Sequence, residues 1–115
     1  MGGDARAAAG PISAVLMARY DVYVNPDGPG YLLDVQADLL EGLNTRIVVP
    51  LSPADQAPAP ASRLNPVFEV RNVPHVLLTQ FMAAVPLALL QDPVMSLLER
   101  DAEITGALDM VFFGF

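Results

Sequence analysis

The sequence predicts a mostly β domain of the α+β class, an antiparallel sheet followed by one C-terminal α-helix. Three observations predict it. Short stretches in which apolar and polar residues alternate recur along most of the chain, clusters of Gly, Pro and Asn separate them, and the tail changes to the helical period. The chain has 115 residues, 53% hydrophobic and 17% charged. That length carries one compact core and leaves too little chain for a second.

Taken in order, Tyr20, Val22 and Val24 alternate with Arg19, Asp21 and Tyr23, the pattern of a half-buried strand. Residues 25–30, Asn-Pro-Asp-Gly-Pro-Gly, are turn chemistry, and residues 31–36 return as the second strand of a hairpin. Leu39 and Leu40 then stand side by side before Gly42. Either one of them is exposed at a strand end, or both are partly covered in a short helical turn. Residues 45–51 read as a third strand buried on both faces. Residues 52–65 hold repeated prolines, which forbid a regular ladder or helix and predict a long surface loop. Such a loop is either a partner-binding segment or tolerated slack. Residues 66–71 and 73–79 form a second hairpin turning near Asn72. Residues 82–90 follow as an apolar strand that Pro86 restricts to an edge or a bulge.

The tail carries helix signals. Asp92-Pro93 has the form of an N-cap before a first-turn proline, and Ser96 and Glu99 have capping-box spacing, so helix entry is expected between residues 92 and 101. Leu97, Ile104, Ala107, Leu108 and Val111 make the stripe expected to pack on the sheet. Ala102, Gly106, Asp109 and Phe113 lie on the opposite face.

Composition narrows the chemistry. Cys and Lys are absent and His75 is the single histidine. That removes disulfides, thiolate zinc sites, a cysteine nucleophile, Schiff-base chemistry and a P-loop lysine. A net charge of −7 sets up an unfavourable field for a phosphate backbone, so no direct nucleic-acid binding is expected. No apolar run approaches the roughly 20 residues of a membrane span. No cofactor or metal is implied, and binding a protein partner is the function class left. The concentration of Phe112, Phe113 and Phe115 around Gly114 points the same way. Those rings either tuck into the core, or Phe113 and Phe115 are exposed as part of an aromatic hot spot.

Five collinear segments resemble the CcdB toxins of toxin–antitoxin modules: Tyr31-Leu-Leu-Asp-Val-Gln-Ala-Asp-Leu-Leu40, Arg46-Ile-Val-Val-Pro-Leu51, Asn65-Pro-Val-Phe-Glu-Val70, Met82-Ala-Ala-Val-Pro86 and Ala107-Leu-Asp-Met-Val-Phe-Phe-Gly-Phe115. The resemblance implies a small SH3-like β-barrel with a C-terminal helix, a homodimer, and a cytoplasmic bacterial toxin that is not an enzyme. It implies poisoning of the DNA gyrase A subunit, neutralisation by a CcdA-like antitoxin and joint repression of the operon. Carried over by motif, the gyrase-facing residues are Leu39, Leu40, Gly106, Asp109, Phe113, Gly114 and Phe115. The antitoxin-binding residues are unknown, with the loop Ser52 to Asn65 suspected. Such toxins commonly have Trp where this chain has Phe113, a small aliphatic at Phe115 and Asn at Gly106 and Asp109. A degenerate or retargeted homologue is therefore the alternative reading.

A further alternative is an endoribonuclease of a related barrel fold, for which His75, Arg46, Arg63 and Arg71 are the candidate groups. The acid pairs Asp34 with Asp38 and Glu99 with Glu103 read as solvated or helix-end charges. Residues 1–16 are expected to be a disordered extension, with Met17 as an alternative start and residues 17–115 as the toxin-like domain.

Overall fold

The computed structural model describes residues 18–115. The expectations for residues 1–16 and for Met17 lie outside the described residues. Seven strands form one antiparallel sheet: β1 (Asp21–Val24), β2 (Tyr31–Asp34), β3 (Thr45–Pro53), β4 (Val67–Val70), β5 (Val73–Leu77), β6 (Ala83–Pro86) and β7 (Met95–Ser96). Among the described residues, a single α-helix, α1 (Asp101–Phe113), follows. Their order is β4-β5-β3-β2-β1-β7, with β6 on β3, so the sheet curls into a nearly closed barrel.

β3 is the hub. It pairs with β2 along one side, and along the other with β6 through its first half and β5 through its last residues. Its run of β-branched residues suits a strand covered on both faces. Val49 and Leu51 face a main core with Tyr20, Val22, Leu33, Phe68, Leu77, Ile104 and Ala107. Val48 faces a smaller cluster with Tyr23, Leu32 and Leu90.

That second cluster corrects the reading of β1 as half-buried. Asp21 and Tyr23 are buried as fully as Val22, while Val24, assigned to the core face, is 52% exposed at the hairpin end. Chain from residue 85 to 90, supplying Val85, Leu87 and Leu90, covers the face that alternation had left to solvent.

The hairpins appear where the turn residues place them. In the first, Val24 pairs with Tyr31, and Asn25 Oδ1 accepts the Asp27 N–H. Gly30 has φ 95° and lies against β3, so a Cβ there would overlap the Leu51 carbonyl oxygen. In the second, Arg71 and Asn72 both sit at positive φ, 52° and 67°, between Val70 and Val73. Two left-handed residues joining paired strands are the hallmark of a type I′ turn, whose twist matches that of the strands.

Several boundaries differ from expectation. β2 stops at Asp34 rather than at residue 36. β3 runs on to Pro53, with Ser52 opposite Val76 and Pro53 opposite His75. The expected loop therefore begins two residues later, because proline is tolerated where its partner needs no N–H from it. Residues 82–90 split into β6 and a 3-10 turn over Leu87–Leu89, with Pro86 at the junction. The helix starts at Asp101, inside the expected range of 92–101 but at its far end and not at Asp92-Pro93. Met95–Ser96 is instead a strand on β1, and a 3-10 turn, Leu98–Arg100, leads into α1. Ser96 Oγ accepts the Leu98 N–H, capping that turn and not a longer helix. Leu97 is buried from outside the helix, Ile104 and Ala107 are the fully buried helical residues, and Leu108 and Val111 are half-buried.

Candidate functional site: a helix face and a leucine turn

The solvent-facing side of α1 and the chain just past its end carry four of the expected residues. Gly106 has open space where a Cβ would project, Asp109 is exposed, and Phe113 and Phe115 are 67% and 75% exposed. The helix closes at Gly114, which takes φ 80° and gives its N–H to the Met110 carbonyl at 3.0 Å. A left-handed residue at this position lets the chain double back, and glycine does so without a Cβ penalty. The reversal brings the Phe113 and Phe115 rings to a centroid separation of 6.5 Å, tilted by 37°. Phe112 is exposed as well. The alternative in which these aromatics tuck into the protein's own core is therefore not the one this fold adopts.

Leu39 and Leu40 sit on the 3-10 turn Asp38–Leu40, so both branches of the expectation are half right. The turn is helical, yet Leu39 is 92% exposed and Leu40 46%. Two bulky apolar side chains held in water need a rigid base, and buried polar groups supply it. Gln36 bridges the turn to β3, its Nε2 donating to the Leu40 carbonyl at 3.0 Å and its Oε1 accepting the Ile47 N–H at 3.1 Å. Asp38 accepts the Arg19 N–H at 2.7 Å, tying the turn to the chain before β1. Asp34 accepts the Gln36 N–H at 2.9 Å. Gln36 was not among the expected site residues; the signal was a polar side chain at a strand end beside two leucines.

Asp34 is not the solvated charge expected. Its carboxylate and the Arg46 guanidinium are both fully buried, with Nε donating at 2.8 Å and Nη2 at 2.6 Å from the same oxygen. Burial pushes the Asp34 carboxyl above its usual range, against the opposing pull of Arg46. Breaking such a pair from one side costs about 3–5 kcal/mol, because it strands the other charge. The remaining acids conform better: Asp38 lies in the first turn of a 3-10 helix, Glu99 is exposed, and exposed Glu103 pairs with Arg100, which lowers its carboxyl and raises the guanidinium.

The endoribonuclease candidates are not gathered. Arg46 is locked in its ion pair. His75 is buried, its Nδ1 2.8 Å from the Val73 carbonyl and its ring edge-on to Tyr31. Arg63 and Arg71 are exposed in two different loops. Within the suspected loop, Asn65 is an anchor, donating to the Leu77 carbonyl and to Gln80 while accepting the Ala61 N–H. Ser52 and Pro53 belong to β3, which leaves mainly residues 54–63 open to solvent. The leucine turn and α1 are not packed extensively on each other.

A small barrel that holds apolar side chains outward on a rigid turn and a capped helix end is built as a protein-binding module. The family model for CcdB protein matches residues 19–114. The chain belongs to the CcdB family, whose members are toxins of toxin–antitoxin modules that poison gyrase rather than catalyse a reaction. Among the described residues, no helix is long and apolar enough to cross a membrane.

Proposed function

We propose that this protein is the cytoplasmic toxin of a bacterial type II toxin–antitoxin module. It binds the A subunit of DNA gyrase, traps the enzyme on cleaved DNA, and is neutralised by a CcdA-like antitoxin that represses the operon together with it. The observation that carries the reading is the outward placement of Phe113 and Phe115 on the helix side that also presents Gly106 and Asp109. Leu39 and Leu40 contribute a second apolar contact. A two-fold homodimer would set two such helices side by side over one target.

Incubation of the protein with gyrase and supercoiled plasmid tests this. Cleaved plasmid should accumulate, and removal of residues 113–115 should abolish it without lowering the melting temperature. Each exposed aromatic anchor is worth about 2 kcal/mol or more of binding. Absence of cleavage with the full chain would favour the alternative, a retargeted homologue. That alternative draws on Gly106 and Asp109, which offer a bare backbone and a negative charge where a polar amide is common in the family. The exposed stretch 54–63 is the segment assigned to antitoxin contact; its amide exchange should slow when antitoxin is added.

A further inference from the structure

The barrel is not closed. Among the described residues β4 pairs only with β5 and β7 only with β1, so two strand edges without ladder partners there face each other across a groove of about 600 Å³. Val67 and Glu69 from β4, Met95 and Ser96 from β7, and Glu99 and Arg100 line it. The free edge of β4 can be located. The Pro66 carbonyl accepts the Leu77 N–H, which by antiparallel alternation turns the amides and carbonyls of Val67 and Glu69 away from β5. Glu69 stands opposite Pro74 in a pair that exchanges no ladder hydrogen bond.

The chemistry of the groove is specific. The Arg100 guanidinium lies over the buried Phe68 ring, 4.9 Å from its centroid, and is ion-paired with Glu103. Its charge is already balanced. Glu69 and Glu99 are exposed and have no ion-pair partner among the described residues. Val67, 43% exposed, lies on the same side of β4 as Glu69. An added strand would thus meet an apolar position and an acidic one two residues apart.

We propose that this seam is a docking groove for an extended, positively charged peptide segment of a partner protein, which adds as a strand to the free edge of β4. Backbone pairing supplies affinity in such additions, and side chains at alternate positions supply specificity. A basic residue opposite Glu69 and an aliphatic one opposite Val67 are the complementary pattern. A second copy of this chain is disfavoured, since pairing β4 with itself would bring two Glu69 carboxylates together between chains each carrying −7. The groove opens at the start of α1, about 20 Å along the helix from Phe113, and its occupancy does not depend on the gyrase reading.

The test is calorimetric titration and amide exchange of the full chain with an acetylated, amidated heptapeptide, Thr-Arg-Thr-Val-Thr-Arg-Thr. Saturable binding that weakens with salt is expected, with at least tenfold slower exchange at Val67 and Glu69. Glu69→Lys and Glu99→Lys, both at exposed positions, should each weaken binding about tenfold. A peptide with Glu replacing Arg should bind Glu69→Lys better than the original protein. Four results would overturn the proposal: no binding, binding indifferent to both substitutions, equal binding of a copy N-methylated at alternate amides, or binding that appears only after residues 2–17 are removed. The last would assign the groove to the chain's own N-terminal segment.

Discussion

Tyr20 shows how one residue can be held against its own preference. Its φ of 74° is in the left-handed region, which costs a bulky side chain on the order of 1–3 kcal/mol. In return its N–H reaches the Asp34 carbonyl at 2.6 Å and its carbonyl accepts the Leu97 N–H at 2.8 Å, while the ring enters the main core. Burial, followed by the Asp101 carboxylate that its hydroxyl faces, pushes the phenol up to about 12. The folded protein therefore holds the Tyr20 proton where the unfolded chain has lost it. The stability this confers is complete below about pH 10 and is lost as pH rises toward 12. Thermal melts of the original protein and Tyr20→Phe should show a steeper alkaline decline in the original; parallel curves would mean that the phenol does not contribute.

At the scale of elements, the Arg71–Asn72 turn holds two left-handed residues, neither of them glycine. Asn-Gly is the pair that a type I′ turn favours. The double substitution Arg71→Asn with Asn72→Gly should stabilise the protein by about 1 kcal/mol, raising the melting temperature by roughly 4–8 °C for a domain of this size. A calorimetric scan with no rise would show that the Arg71 side chain offsets the strain. This turn was legible in the sequence, as were the first hairpin and the exposed helix face, because each depends on neighbours within a few residues; the leucine turn was legible only in part, since neither reading had both side chains exposed. The helix start was bracketed within residues 92–101, but its cap was misplaced. Asp92-Pro93 has the local form of a cap, but Met95–Ser96 pairs with β1, and a tertiary partner decided against the local signal. Asp34 was misread for a similar reason, since its partner Arg46 arrives from the next strand and nothing local marks the pair as buried.

For the whole molecule, the main core among the described residues runs from Tyr20 to Ala107, and the family match begins at residue 19. The segment before residue 17 is proposed as dispensable. Leu39, Phe81, Phe112, Phe113 and Phe115 are each more than half exposed, a large apolar area for one small chain and the kind of surface that a homodimer covers in part. Light scattering at micromolar concentration should give a dimer mass for the full chain and for a variant lacking residues 2–16, with equal melting temperatures. A monomer mass would count against the dimer, and a drop of several degrees would show that the extension packs.

The pairing of β1 with β7 joins the first strand to the last and sets the order of events in time. Such a contact closes a loop of about two-thirds of the chain, so it forms late and is the first to open. The chain after residue 95 is tied to the barrel by this pairing and by Ile104 and Ala107 of α1, which pack into the main core. The surface proposed to engage a target is thus completed late in folding, once β7 and α1 have docked. In native-state exchange, β7 and the last turns of α1 should open together as one unit of low stability, ahead of β2, β3 and β5.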